Sequence, residues 1–170
     1  MVILTTDIVY RLSGGSSNSL PNSSLGGVKS SVALVDNTLD NLFADSLGTE
    51  SAAGSTKYRA IYVHNAHASL TMLNARLYIT ANTPSTDDTI SIAIGTAAIN
   101  GTEQTIADEN TAPTGVTWST AAIDYASGLA LGDIPFGQHK AIWFRRVINA
   151  SAAAYNSDSL VFETGCDSAA

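Results

Sequence analysis

Three histidines, His64, His67 and His139, are the side chains in this chain that could ligate a metal or move a proton near neutral pH. Zinc takes nitrogen, sulfur or oxygen ligands in a tetrahedron, and each imidazole ligand is oriented by an outer hydrogen bond. His64 and His67 are separated by two residues where a strand passes into a turn, and His139 lies far off beside the Pro135 turn. With no acidic ligand near them and no outer shell to orient them, they are expected as polar turn residues with no metal bound. Asp87 with Asp88, and Asp108 with Glu109, could contribute to a calcium site. Calcium, however, takes roughly six to eight oxygens drawn from several segments, and two adjacent loop carboxylates supply too few. The chain has no phosphate-binding glycine loop, no Gly-x-Ser-x-Gly elbow, no His-Glu-x-x-His and no cysteine pair. A Ser-His-Asp triad can be composed on paper from any chain this rich in Ser and Asp, so it carries no information. Trp118, Trp143 and the tyrosines could stack on sugars, although such residues more often anchor cores and interfaces. The expectation is a protein with no catalytic residue and no cofactor.

Charge narrows the partners. Fifteen acidic residues oppose eight basic ones, a net charge of −7, which argues against nucleic acid because neutralising its backbone needs clustered Lys and Arg. Between Arg76 and Lys140 there is no Lys or Arg, while Asp87, Asp88, Glu103, Asp108, Glu109, Asp124 and Asp133 all fall there. One end or face should be electronegative. That serves solubility, or else Asp87, Asp88, Glu103, Asp108 and Glu109 form a docking face for a basic partner. The sole thiol, Cys166, cannot close a disulfide within its own chain, which permits assembly in a reducing cytoplasm. No leader of basic and apolar residues and no bilayer-length apolar run is present, so neither secretion by the common route nor a membrane partner is expected.

The elements that would position these residues are strands. At 170 residues, 45% of them hydrophobic, one domain is expected, and a domain of this size buries roughly 70% of its unfolded surface. Leu73, Ala75, Leu77 and Ile79 alternate with polar residues, and so do Ile90, Ile92 and Ile94, the period of a half-buried strand. Strands are predicted over 8–12, 32–35, 57–64, 70–81, from 90 onward, over 102–107, 116–119, 140–148 and 160–163, with a looser, partly helical turn over 38–46 and a polar tail after 163. In 57–64, Tyr58, Ala60, Tyr62 and His64 form one face and Arg59, Ile61 and Val63 the other, so both faces need cover and the strand belongs mid-sheet. The run 140–148 should also be central. Its adjacent Arg145 and Arg146 must point to opposite faces, where one is expected to meet an inward or interfacial carboxylate.

Asn100-Gly101 predicts a type I′ hairpin pairing Ile99 with Thr102. Strict alternation would then bring Glu103 inward, so a bulge at Gly95-Thr96 is expected to shift the phase, placing Ala97, Ile99 and Ile106 inside and Glu103 outside. Ile134-Pro135-Phe136-Gly137 predicts a type I turn. The fold class is all-β, a two-sheet antiparallel sandwich or jelly roll with little helix. The Ser- and Gly-rich stretch 13–31 has too few large apolar side chains to offset its ordering entropy, so it is expected as a flexible loop or as an arm ordered by a neighbouring subunit. Ser13, Leu20, Pro21, Leu25 and Val28 of that stretch, with Arg145 and Arg146, are the candidate interface residues.

Four segments carry a family resemblance: DIVYRLSGG at 7–15, YRAIYVHN at 58–65, the run 82–118 that begins NTPSTDDTISIAIG, and the run 132–162 that begins GDIPFGQHKAIWFRR. They resemble stretches of virion structural proteins of tailed bacteriophages and their prophages. The resemblance implies a small β-sandwich carried in many copies on the particle, as a head decoration, neck, collar or tail component, and assembled in the host cytoplasm. Its partners would be copies of itself and other virion proteins, and no site residue carries over. Abundant Ala, Ser, Thr and Gly fit such a role, because short side chains lose little entropy when surfaces are ordered against neighbours. A reading from another class is a carbohydrate-binding sandwich used in host adhesion, which would need exposed aromatics in a groove.

Overall fold

The computed structural model describes residues 2–155 and 158–168. Along the chain run β1 (Ile8–Leu12), β2 (Gly26–Gly27), α1 (Gly48–Ala53), β3 (Ser55–Asn65), β4 (Met72–Ala81), β5 (Asp88–Ile94), β6 (Glu103–Thr105), β7 (Leu129–Ile134), β8 (His139–Ile148) and β9 (Val161–Ser168). The two runs richest in β-branched and aromatic residues, β3 and β8, pair antiparallel from Ser55 opposite Ile148 to His64 opposite His139. β1 and β5 flank them in the order β1-β3-β8-β5, and a second antiparallel sheet has the order β7-β4-β9. The fold is an all-β sandwich of antiparallel sheets. One apolar cluster joins the facing sides, with Leu12, Ile61, Val63, Ile92, Ile142 and Phe144 from the first sheet against Met72, Ala75, Leu77, Ile79, Leu131 and Ile134 from the second. Tyr10 helps close one side, its hydroxyl donating to Thr164 Oγ1 at 3.1 Å.

The outer face of the first sheet is covered as well. Tyr58, Ala60, Ala93, Ile106 and Trp143 form a second buried cluster, with Leu25, Val116 and Trp118 packed against it. The cover includes the stretch 13–31, which bonds to β1 and β3 of its own chain. Ser13 Oγ, fully buried, donates to the Ala60 carbonyl at 2.7 Å and accepts from the Gly26 amide at 3.1 Å. Beyond the reach of β1, the exposed edge of β3 is paired by this loop and by another, with Ala60 N donating to Ser24 O and Tyr58 N to Glu109 O, both at 2.8 Å. At Gly26, with φ +90°, a side chain would run into the Gln104 carbonyl, so the loop approaches β6 only through glycine.

Several expected details differ. In β4 the register shifts between Met72 and Ala75, around Asn74 at φ +50°. The residues facing the core are therefore Met72, Ala75, Leu77 and Ile79, with Leu73 only half-buried. Asparagine tolerates the left-handed region, and its amide is held by Asp133 Oδ1 at 2.9 Å. The alternation of Ile90 and Ile92 does end after Ile94, but by departure from the sheet rather than by a bulge. The hairpin at Asn100-Gly101 does not form. The turn runs from Ala98 to Gly101 with only Asn100 left-handed, and the Asn100 amide donates to His139 O at 2.7 Å. The outer edge of β5 is instead occupied by Ser119, which exchanges two 2.9 Å backbone bonds with Ile92, so β6 pairs with β2. Glu103 consequently lies inside, not outside.

The segment 32–35 contributes a single bridge, Arg11 to Ala33, and 116–119 contributes only Ser119. The expected helical turn over 38–46 is irregular. The short helix lies just beyond it, where the Glu50 carboxylate accepts from the Leu47 amide at 3.0 Å. No strand is predicted at β7, and the second half of β9 reads as tail, because Gly132, Asp133, Gly165 and Asp167 break their pattern. Pairing with both sides of β4 makes them strands. The turn before β8 sits one residue later than expected, Gln138 N donating to Pro135 O at 3.0 Å, with Gly137 at φ +73° in the position a type II turn requires.

Candidate functional site

The five acidic residues expected to form one docking face are dispersed into internal bonds. Glu103 is 2% exposed; its carboxylate accepts from Ala97 N at 2.9 Å and Thr96 Oγ1 at 3.0 Å. Gly95 makes the room, since a methyl group there would overlap that carboxylate. Burial alone would raise the pKa of Glu103, but these donors, with the nearby indole of Trp143, outweigh it and hold the acid below its ordinary range. Asp88 is buried and accepts from Arg146 Nε at 2.6 Å; desolvation nevertheless keeps its pKa above the usual value. Glu109 joins Arg59 and, at 3.2 Å, Lys57, which also meets Glu50 at 2.8 Å. Burial opposes the ionised form of Glu109, yet Arg59 and Lys57 bring its pKa below normal. Asp108 accepts from Asn110 N and Thr111 Oγ1 within its own loop, and Asp87 accepts from Ala153 N at 3.1 Å. Such pairs fix strand register and loop position more than they add net stability.

The candidate interface set divides. Ser13 is internal and Leu25 packs against the outer cluster, whereas Leu20 and Val28 are 63% and 49% exposed, with Pro21 half-buried beside them. Arg145 and Arg146 do point to opposite faces. Arg145 Nε donates to Ser91 Oγ at 3.0 Å and its guanidinium lies 5.0 Å from the centre of the Trp118 ring. Arg146 has the expected carboxylate, Asp88. Trp118 also packs at a tilt against Tyr58 and Trp143 is fully buried, so neither indole forms an open sugar platform.

Among the described residues no three His, Cys, Asp or Glu side chains are placed to share a metal. His67 is a turn residue whose Nδ1 accepts from Ser69 N and Leu70 N. His64 and His139, unrelated in the sequence, are direct cross-strand neighbours. Among the described residues no helix is long and apolar enough to cross a membrane.

A feature that sequence reasoning missed is a cleft of about 1440 Å³ between the loop before α1 and the segment leading into β9. Leu34, Leu42 and Phe162 line its depth, and Leu39, Tyr155 and Val161 stand exposed along it. Its signal was the apolar spacing of Leu39, Leu42 and Phe43, which resembles a helical face but has no helix to bury it. Comparison of the chain with known proteins finds no family model, no curated protein and no solved structure that matches it.

Proposed function

We propose that the protein is a non-enzymatic structural component of a tailed-phage particle, carried in many copies, which associates with itself and docks on other virion proteins. The observation that carries the reading is the open cleft, where Leu39, Tyr155 and Val161 remain exposed among Asp36, Asp40, Asp45 and Asp158, while the inner faces of both sheets and the outer face of the first are covered. Large apolar side chains exposed together in a cleft and rimmed by polar residues mark contact sites. The phage context comes from the segments 58–65, 82–118 and 132–162, whose residues build the central strands β3 and β8 and the flanking strand β5. Buried ion pairs and short side chains give a rigid body that loses little further entropy on association.

Light scattering on the purified chain tests the reading: the expected mass is two or more whole copies of 17.6 kDa. Mass spectrometry of the purified particle is expected to find the chain in many copies. A single-copy mass, or turnover of a substrate, overturns it.

A further inference from the structure

Of the eight basic side chains, most are visibly engaged. Lys57, Arg59 and Arg146 meet carboxylates, Arg145 lies over Trp118, Arg76 donates to the Gly128 carbonyl, and Lys140 donates to that of Ala97. The remaining two, Lys29 and Arg11, whose guanidinium reaches the Ser31 carbonyl but whose Nε has no partner, gather with two of the three histidines at one corner of the outer face. Register places them there. His64 stands opposite His139, and Arg11 stands opposite Tyr62, on the same face and diagonal to His64. Lys29 is brought over them by its loop, which is pinned where Ser30 N donates to Leu12 O at 2.8 Å and where the Arg11 guanidinium donates to Ser31 O.

Two features of this corner call for a ligand. Arg11 Nε, His64 Nδ1 and His139 Nδ1 are all buried with no hydrogen-bond partner, whereas buried polar nitrogens are ordinarily bonded. The charges acting on His64 are those of Lys29 and Arg11, and the charges acting on His139 are those of Lys29 and His64; all are positive. The other groups facing the corner are Tyr62, whose ring meets that of His139 edge-on at 4.8 Å, Glu103, whose carboxylate turns away to Thr96 and Ala97, and the backbone of Gln138 and Gly101, which favours protonated His64 and His139 respectively. We infer that this corner is a binding site for a tetrahedral oxyanion of the phosphate or sulfate type, held by Arg11 and Lys29 and by the imidazoles of His64 and His139.

A guanidinium edge and an ammonium suit such an anion. The imidazoles couple binding to protons. Desolvation and the positive neighbours hold His139 down at about 4 and His64 below its usual value. A dianion beside them cancels that field, so each imidazole takes up a proton as the anion arrives, and affinity rises as the pH falls below neutral. Sulfate remains a dianion over this range, and its pH dependence therefore reports the protein alone.

Histidine Cε1–H resonances of the whole chain, titrated with sulfate, inorganic phosphate and phenyl phosphate, test the site. Saturable shifts are expected at His64 and His139 and not at His67, with the His139 pKa raised by about 1–3 units, the effect of an opposite charge at close range. Lys29→Gln, on a half-exposed loop position, is expected to weaken sulfate binding about tenfold, as loss of a charged hydrogen bond does. The ratio of phosphate to phenyl phosphate affinity separates a free from an esterified source. Absence of saturable shifts, equal shifts at His67, or affinity unchanged in Lys29→Gln overturns the site.

Discussion

His139 shows what burial among like charges does to one side chain. In an unfolded chain its imidazole titrates near 6.5, and in the fold burial, then Lys29 and His64, bring that to about 4. Between these values the unfolded chain holds a proton that the fold refuses, so stability declines as the pH drops through this window and rises as it is raised. Because the ring is only half-buried, solvent screening leaves about 1–2 kcal/mol of effect. Urea unfolding without added anion should therefore show a lower midpoint at pH 5 than at pH 7. His139→Gln should flatten that difference. Equal midpoints in the native chain would contradict the account. Glu103 acts in a lower range: its depressed pKa means that its contribution is complete above 4.5 and is lost as the pH falls through its folded value.

At the scale of elements, two loops are tied to the strands through single buried contacts. Gly95 ends β5 and leaves space for the Glu103 carboxylate. Gly95→Ala is expected to displace that carboxylate and cost about 1–3 kcal/mol, as overpacking does, read as a fall in the urea midpoint. Ser13 bonds both β3 and the Gly26 amide. Ser13→Ala should cost about 1–3 kcal/mol through the unsatisfied groups it leaves. Amide exchange should then accelerate around residues 24–27 while β8 stays protected; uniform exchange behaviour in the variant would argue that the loop is not held there. The β4 bulge illustrates a different limit. Leu73 and Ala75 alternate in sequence, yet the left-handed Asn74 between them moves Met72 into the core in place of Leu73.

At the scale of the whole molecule, the open cleft is where association is expected. Leu39 is 84% exposed, so Leu39→Asp should leave the urea midpoint unchanged while lowering the mass seen by light scattering at a fixed concentration. An unchanged mass would place the contact elsewhere, for instance at Leu20 and Val28. The all-β class, the central places of β3 and β8, and the opposed directions of Arg145 and Arg146 were legible in the chain because each follows from a two-residue period, a local property of the backbone. The sequence alone also showed that Tyr58 and Ala60 needed a cover on the face opposite Ile61 and Val63. It did not identify the cover, which is the stretch 13–31 with residues around Ile106 and Trp118. The tertiary structure alone decided the partners of Asp88, Glu103 and Glu109, the strand character of β7 and the end of β9, and the meeting of His64 with His139. Those outcomes depend on which edge is already occupied and which segments arrive beside each other from far along the chain, and no local pattern encodes that.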